Sequence, residues 1–283
     1  MELVRGFIGD CLELGGGTTP TKKDVQEILA QELMLRAAEA PTLTHRDNRD
    51  PDYFDEAKRS KLRSQVLNEL LTLERLDDDD SIRLNNGGAL PKGKNLKSNR
   101  QAYFVTGLPA SGKSQIVNTV ADAASALVVD SDYAKRKLPE FNGTPGGASL
   151  VHDEANEIMF VGKNSLIAKC IAMGYNIVIP KIGSTIDSIC SLKEVLISAG
   201  YEVHFTLVEL DRFSATCRAY ERFKRTGRYV PLSLIFDGYA NDPILVYYKH
   251  KSNKWSSWGA VSTAGPTPKK IESSSVDNPA NLF

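Results

Sequence analysis

The 283-residue chain has no excess of charge of either sign, because 35 Lys and Arg balance 35 Asp and Glu. No global basic field draws it onto nucleic acid or an anionic membrane, and neither partner is expected. No apolar run approaches the roughly 20 residues needed to span a bilayer. The opening "MELVRGFIGDCLELGG" has no basic segment ahead of a long apolar core, so no signal peptide is expected. Cysteine is sparse. Cys11, Cys170, Cys190 and Cys217 stand far apart with no Cys-x-x-Cys pair. That argues against a disulfide framework or a thiolate zinc site, and for buried thiols in the reducing cytoplasm. No internal repeat is visible. What the chain does have is 41% hydrophobic and 25% charged residues, enough for a packed core, and a length that suits two domains.

Two amphipathic helices are expected first. "TKKDVQEILAQELMLRAAEA" sets Val25, Ile28, Leu29 and Leu33 at helical spacing, with Thr21 and Asp24 as a cap and Pro41 as a stop. "PDYFDEAKRSKLRSQVLNELLTLERL" does the same through Phe54, Ala57, Leu62, Val66, Leu70 and Leu73. The stretch "DDDDSIRLNNGGALPKGKNLKSNR" then reads as a solvated linker. These features define an expected small all-helical N-terminal module, residues 1–95. From residue 96 short apolar runs alternate with helical patterns. Strands are expected over 102–106, 126–130, 175–180 and 203–210, and helices over 113–125, 152–173, 187–199 and 212–226. That alternation predicts an α/β domain with a mostly parallel, helix-covered sheet. The Ser-, Pro- and Gly-rich stretch from about residue 252 reads as a flexible tail.

"VTGLPASGKS" carries the most chemistry. Gly107, Leu108, Pro109, Ala110, Ser111, Gly112, Lys113 and Ser114 match the GxxxxGK[ST] phosphate-binding loop, between a strand and a helix as that loop requires. The two glycines allow backbone N–H groups to converge on phosphate oxygens, and the helix aims its positive end at the same anion. Lys113 reaches the β/γ-phosphates of ATP, and the Ser114 hydroxyl is the expected ligand to Mg²⁺. The Asn-Lys-x-Asp base reader of GTPases is absent, as is the Asp-Glu strand end of large ATPases. A small-molecule phosphotransferase is favoured. Asp130 and Asp132 end the next apolar strand, where α/β sheets bind ligands, and one can orient the acceptor hydroxyl. Either can also simply cap the helix that follows. Arg222, Lys224, Arg225 and Arg228 in "AYERFKRTGRYVP" form either a phosphate-closing lid or a solvated basic face.

Together, "GLPASGKS", "VVDSDYAKRKLPEF", "VHDEANEIMFVGKNSLIAKCIAMGYNIVI" and "AYERFKRTGRYVP" resemble the zeta toxin family of toxin–antitoxin kinases, over residues 101–231. The resemblance implies a P-loop kinase fold and ATP-dependent phosphorylation of the amino-sugar 3′-hydroxyl of UDP-N-acetylglucosamine, which starves cell-wall synthesis. Carried over by position, Lys113 and Ser114 match the phosphate loop, Asp132 the catalytic base, and Arg222 and Arg228 the phosphate-clamping arginines. His152 and Glu154 match the family's His-x-Glu helix start, where they face the acceptor or cap the helix. The chain departs from the family at "PKIGSTID", with Pro180 in place of an acidic sugar contact. Lys181, Ser184, Thr185 and Asn164 are then the candidate sugar contacts. A related branch of the fold phosphorylates NAD, so that acceptor stays open, as does a non-catalytic nucleotide switch. Family toxins are silenced by a small helical antitoxin that blocks the ATP site. Residues 1–95 are therefore expected either to inhibit in cis or to serve as a docking or stabilising extension.

Overall fold

The computed structural model describes residues 20–36, 40–93, 95–143 and 146–283; Cys11 lies outside them. Its helices are α1 (Lys22–Arg36), α2 (Glu56–Thr72), α3 (Lys113–Ala124), α4 (Ser131–Lys137), α5 (Gly147–Leu150), α6 (His152–Phe160), α7 (Leu166–Met173), α8 (Asp187–Ser198), α9 (Arg212–Thr226) and α10 (Asp242–His250). Its strands are β1 (Gln101–Thr106), β2 (Leu127–Val128), β3 (Ile177–Lys181), β4 (Glu202–Glu209), β5 (Ser257–Ser262) and β6 (Lys269–Ser273). They form one sheet in the order β2-β3-β1-β4-β5-β6. β2 and β3 pair parallel, as do β4 and β5, whereas β5 and β6 pair antiparallel. The expected α/β architecture is present. Among the described residues, no helix is long and apolar enough to cross a membrane.

The chain divides into two compact units. The first takes residues up to Leu33, Ala102–Val117 and Pro180–Phe283; the second takes Met34–Gln101 and Asn118–Ile179. In the first unit the interior is built on β4, whose central residues are all buried. Phe205 stacks on Trp255 at 4.5 Å and meets Tyr247 at 5.1 Å, and Phe104 of β1 meets the same Trp255 edge-on at 5.5 Å. α9 starts where the Asp211 carboxylate accepts from the Ser214 N–H and stops at left-handed Gly227 (φ 72°). Its buried face carries Ala215, Ala219, Tyr220 and Phe223. α1 starts with the reciprocal Thr21–Asp24 cap expected from the sequence. Its Ile28, 1% exposed, joins Leu210, Tyr220, Phe223, Leu232 and Ile235 in one apolar cluster.

The expected tail from residue 252 is ordered instead. It supplies β5 and β6, and Gly259, Ala260 and Val261 are buried. Small side chains let the backbone pack closely there: a Cβ on Gly259 would sit 2.3 Å from the Asn278 Oδ1. Composition hid this strand because a neighbour, not its own side chains, fills the space.

In the second unit, α2 is capped by Asp55 and buries Leu62, Val66 and Leu70. Arg59 lies on the same face with no exposure. Its Nε donates to Glu154 Oε1 (2.7 Å), Nη1 to Glu140 Oε1 (2.7 Å), and Nη2 to Glu154 Oε2 (2.6 Å) and Glu140 Oε2 (3.0 Å). The segment expected as a linker also packs. Ile82 and Ala89 are buried, Ala89 N–H donates to Leu70 O, and Val128 N–H donates to Ala89 O. Lys137 drives its ammonium onto Glu69 (2.7 Å) and the Gly87 carbonyl (2.6 Å). The acidic run supplies partners: Asp79 accepts from Tyr133 and Asp80 from Arg136. The run stays exposed at Asp77, Asp78 and Asp80, as a solvated stretch would, while Asp79 and Asp80 also meet one phenol and one guanidinium from α4. The single helix expected over 152–173 is two, because Gly162 turns left-handed (φ 77°) and Ser165 caps α7.

R59A takes the buried arginine from Glu140 and leaves Glu154 with Arg63 alone. It is expected to cost about 3–5 kcal/mol in urea unfolding. The arginines beside Glu154 outweigh its burial and hold its pKa down at about 2, against an ordinary value of 4.5. A lowered carboxyl pKa stabilises the fold above the ordinary value, and that stability drains away as pH falls from about 4.5 toward 2. R59A should flatten this acid dependence; an unchanged slope would remove Arg59 as its cause.

Candidate active site

The phosphate loop belongs to the first unit and is shaped by its surroundings. Gly107 ends β1 at φ 152°, and a Cβ there would meet the Val208 carbonyl oxygen at 2.5 Å, so glycine is required. Its N–H donates to the Ile182 carbonyl at 3.1 Å. Leu108 anchors the loop in the apolar cluster that holds Ile28, Pro109 is half-buried, and Ala110 (φ 61°) and Gly112 (φ 82°) turn it left-handed. A left-handed alanine costs about 1–2 kcal/mol, which the contacts on either side offset. Lys113 folds back so that its ammonium donates to the carbonyls of Gly107 and Leu108, the latter at 3.2 Å. Ser114 is exposed in the first turn of α3, at a helix N-terminus whose donors and dipole favour an anion.

Two residues that the sequence reading missed brace the loop. Thr263, buried just beyond β5, donates its hydroxyl to the Ser111 carbonyl at 2.6 Å. Arg218 on α9 donates to the Thr263 carbonyl at 2.6 Å. Arg218 stands four residues before Arg222, on one helix face, which was a readable signal. Thr263 had none, since it lay in the presumed tail. Arg222 and Arg228 are half-buried in this unit, Arg228 directly after the Gly227 stop. Lys181 and Ser184 are half-buried and Thr185 exposed at the end of β3 and in the loop after it. That loop abuts the phosphate loop through the Ile182–Gly107 bond and through Gly183, where a Cβ would come 2.9 Å from Thr106.

The acceptor candidates belong to the second unit. Asp130 caps α4, its Oδ1 accepting from the Asp132 N–H at 2.9 Å. Asp132 projects from the first turn and pairs with Lys135 at 3.0 Å. Burial, and then the Asp132 charge, push Asp130 up to about 6. Ser131 donates to Asn156 Oδ1 at 2.7 Å, and Asn156 meets His152 Nε2 at 3.0 Å. One polar chain therefore links His152 to the Asp130–Asp132 turn through Asn156, a residue not singled out from sequence. Glu154 points elsewhere. It is fully buried, and its oxygens are bound to Arg59, Arg63 and Thr42, which gives it a structural task. Asn164 is exposed between α6 and α7.

A glycine-turned phosphate loop between strand and helix, in a mostly parallel helix-covered sheet, defines a protein of the P-loop kinase fold. The family profile described as Zeta toxin matches residues 90–241. That is more than half of the chain, and the chain belongs to the zeta toxin family. Among curated proteins it is similar to Toxin zeta of Enterococcus hirae, 23% identical over 200 residues, 68% of this chain and 58% of that protein. The chain thus spans less than two thirds of that relative's length. Among solved structures it is similar to a chain from the PezAT chromosomal toxin–antitoxin system of Streptococcus pneumoniae. The TM-score is 0.56 at 16% identity, over 79% of this chain and 84% of that one. That likeness is one of fold.

The Asp130–Asp132 pair gives a direct expectation. In a carboxyl-selective NMR titration of the full chain, one group of the pair should ionise near pH 6. D132N removes the neighbouring charge and should lower that value, leaving the part due to burial. A pair that titrates entirely near 4 would contradict the arrangement.

Proposed function

We propose that the chain is an ATP-dependent kinase that phosphorylates the amino-sugar 3′-hydroxyl of UDP-N-acetylglucosamine and acts as a bacterial toxin against cell-wall synthesis in the cytoplasm. The observation that carries the reading is the phosphate loop, with Lys113 and Ser114 at the N-terminus of α3. Family membership and the carboxylate turn at Asp130–Asp132 support it. Ser114 offers Mg²⁺ one hydroxyl, and this fits an ion that takes its remaining ligands from phosphate oxygens and water. When bound, that ion neutralises charge on the β/γ-phosphates.

In this reading Lys113 leaves its own loop carbonyls for the β/γ-phosphates. Arg222 and Arg228 offset the charge that spreads over the transferring phosphoryl group. Asp132 accepts the acceptor hydroxyl's proton and passes it on to solvent, while Asp130 and His152 hold the acceptor side in register. Lys181, Ser184, Thr185 and Asn164 are the proposed sugar-nucleotide contacts. Glu154 leaves that set, because its oxygens are bound to arginines.

The test is mass spectrometry of UDP-N-acetylglucosamine, and of NAD in parallel, after incubation with ATP, Mg²⁺ and protein. K113A should abolish transfer. D132N should keep ATP binding while turnover falls about 10²-fold or more. R222A and R228A should each lower turnover by about 10- to 10³-fold. Phosphate appearing only on NAD would move the acceptor assignment; ATP hydrolysis indifferent to either acceptor would favour a switch.

The same reading includes restraint in cis, now narrowed to α1. Arg59, Leu62, Val66 and Leu70 are buried in the second unit, so removing residues 1–95 would damage the fold before it could test inhibition. Asp77, Asp79 and Asp80 pair with Lys92, Tyr133 and Arg136. α1 supports the idea better. Ile28 shares an apolar cluster with Leu108 of the phosphate loop, and Tyr229 beside the arginine lid donates to Glu32. I28D in the full chain should unseat α1 and raise turnover. A folded I28D protein with unchanged turnover would make α1 a stabilising extension.

A further inference from the structure

We infer that Thr263 and Arg218 are positioning residues that preset the phosphate loop for its nucleotide. The inference rests on the nucleotide-binding reading above but not on the identity of the acceptor. Thr263 is held on two sides. Its N–H donates to the Glu209 carbonyl at the end of β4 (3.2 Å), and its carbonyl accepts from Arg218 of α9 (2.6 Å). So fixed, it turns its hydroxyl onto the Ser111 carbonyl at 2.6 Å.

The consequence follows from peptide geometry. In a planar trans peptide the C=O and the following N–H point in opposite directions. Tying the Ser111 carbonyl toward Thr263 therefore turns the Gly112 N–H the other way. Gly112 belongs to the glycine-rich stretch whose N–H groups cradle phosphate oxygens. The Thr263 methyl completes the brace: it lies 3.5 Å from where a Gly112 Cβ would be, and Arg218 Nη1 lies at 3.9 Å from the same point. The guanidinium thus brings positive charge beside the loop as well as a bond to Thr263. A loop with left-handed Ala110 and Gly112 has other conformations open to it, and this brace selects one before any ligand arrives.

The experiment is calorimetric titration of ATP and AMP into the full chain, with steady-state kinetics alongside. T263V keeps the shape and loses the hydroxyl. It should weaken ATP about tenfold. It should shift AMP, with its single phosphate, far less. KM for ATP should rise while kcat changes less. T263S returns the hydroxyl and should restore ATP affinity, and R218A should reproduce the T263V pattern. Equal loss of ATP and AMP with a lowered Tm, or no loss of either in T263V, overturns the inference. If the parent chain binds neither nucleotide, the nucleotide reading itself falls.

Discussion

The guanidinium of Arg59 is the constraint on which the second unit depends. A fully buried cation is tolerated only when nearly every donor has a partner, and four charge-assisted bonds to two carboxylates meet that demand. Those carboxylates come from positions 81 and 95 residues further along the chain. Forming the ion cluster therefore fixes α2 against Glu140, just after α4, and against Glu154 on α6. Arg63, Arg49 and Glu56 extend it outward. Residues 34–101 are for this reason part of the unit that carries Asp130 and Asp132, and not an appendage to it.

The first unit solves a different problem. A phosphate loop needs donors turned toward an anion before the anion is present, and a short glycine-rich segment does not hold such a shape alone. Here β4 excludes any side chain at Gly107, Leu108 is set in the apolar cluster, and Thr263 ties the Ser111 carbonyl. The ammonium of Lys113 rests on carbonyls of its own loop. The helix α9 serves both ends of the arrangement. Arg218 braces the loop through Thr263, while Tyr220 and Phe223 receive Ile28 of α1. A single helix thus touches the brace of the loop, carries Arg222 and packs against the N-terminal helix.

Much of this was legible from local chemistry. The phosphate loop, the Thr21–Asp24 cap and the Asp130 cap are short-range features that appeared where spacing placed them, and the alternation of strands and helices held from β1 to α9 apart from the break at Gly162. Three readings failed for a common reason. The stretch 77–100 read as a solvated linker, the stretch after residue 252 as a loose tail, and Glu154 as an acceptor contact or a helix cap. In each case the deciding partner lies far away in sequence: Val128 for Ala89, the pairing of β5 with β4, and Arg59.

By itself, then, the sequence determined the phosphate loop, the α/β order and the family, because these rest on residues adjacent in the chain whose backbone preferences and spacing are self-sufficient. Only the tertiary structure decided which charges are buried and paired, that the final residues add strands to the sheet, and that Thr263 and Arg218 attend the loop. Burial turns a solvated carboxylate or guanidinium into a group that must find a partner, and that partner is set by the fold rather than by neighbours along the chain.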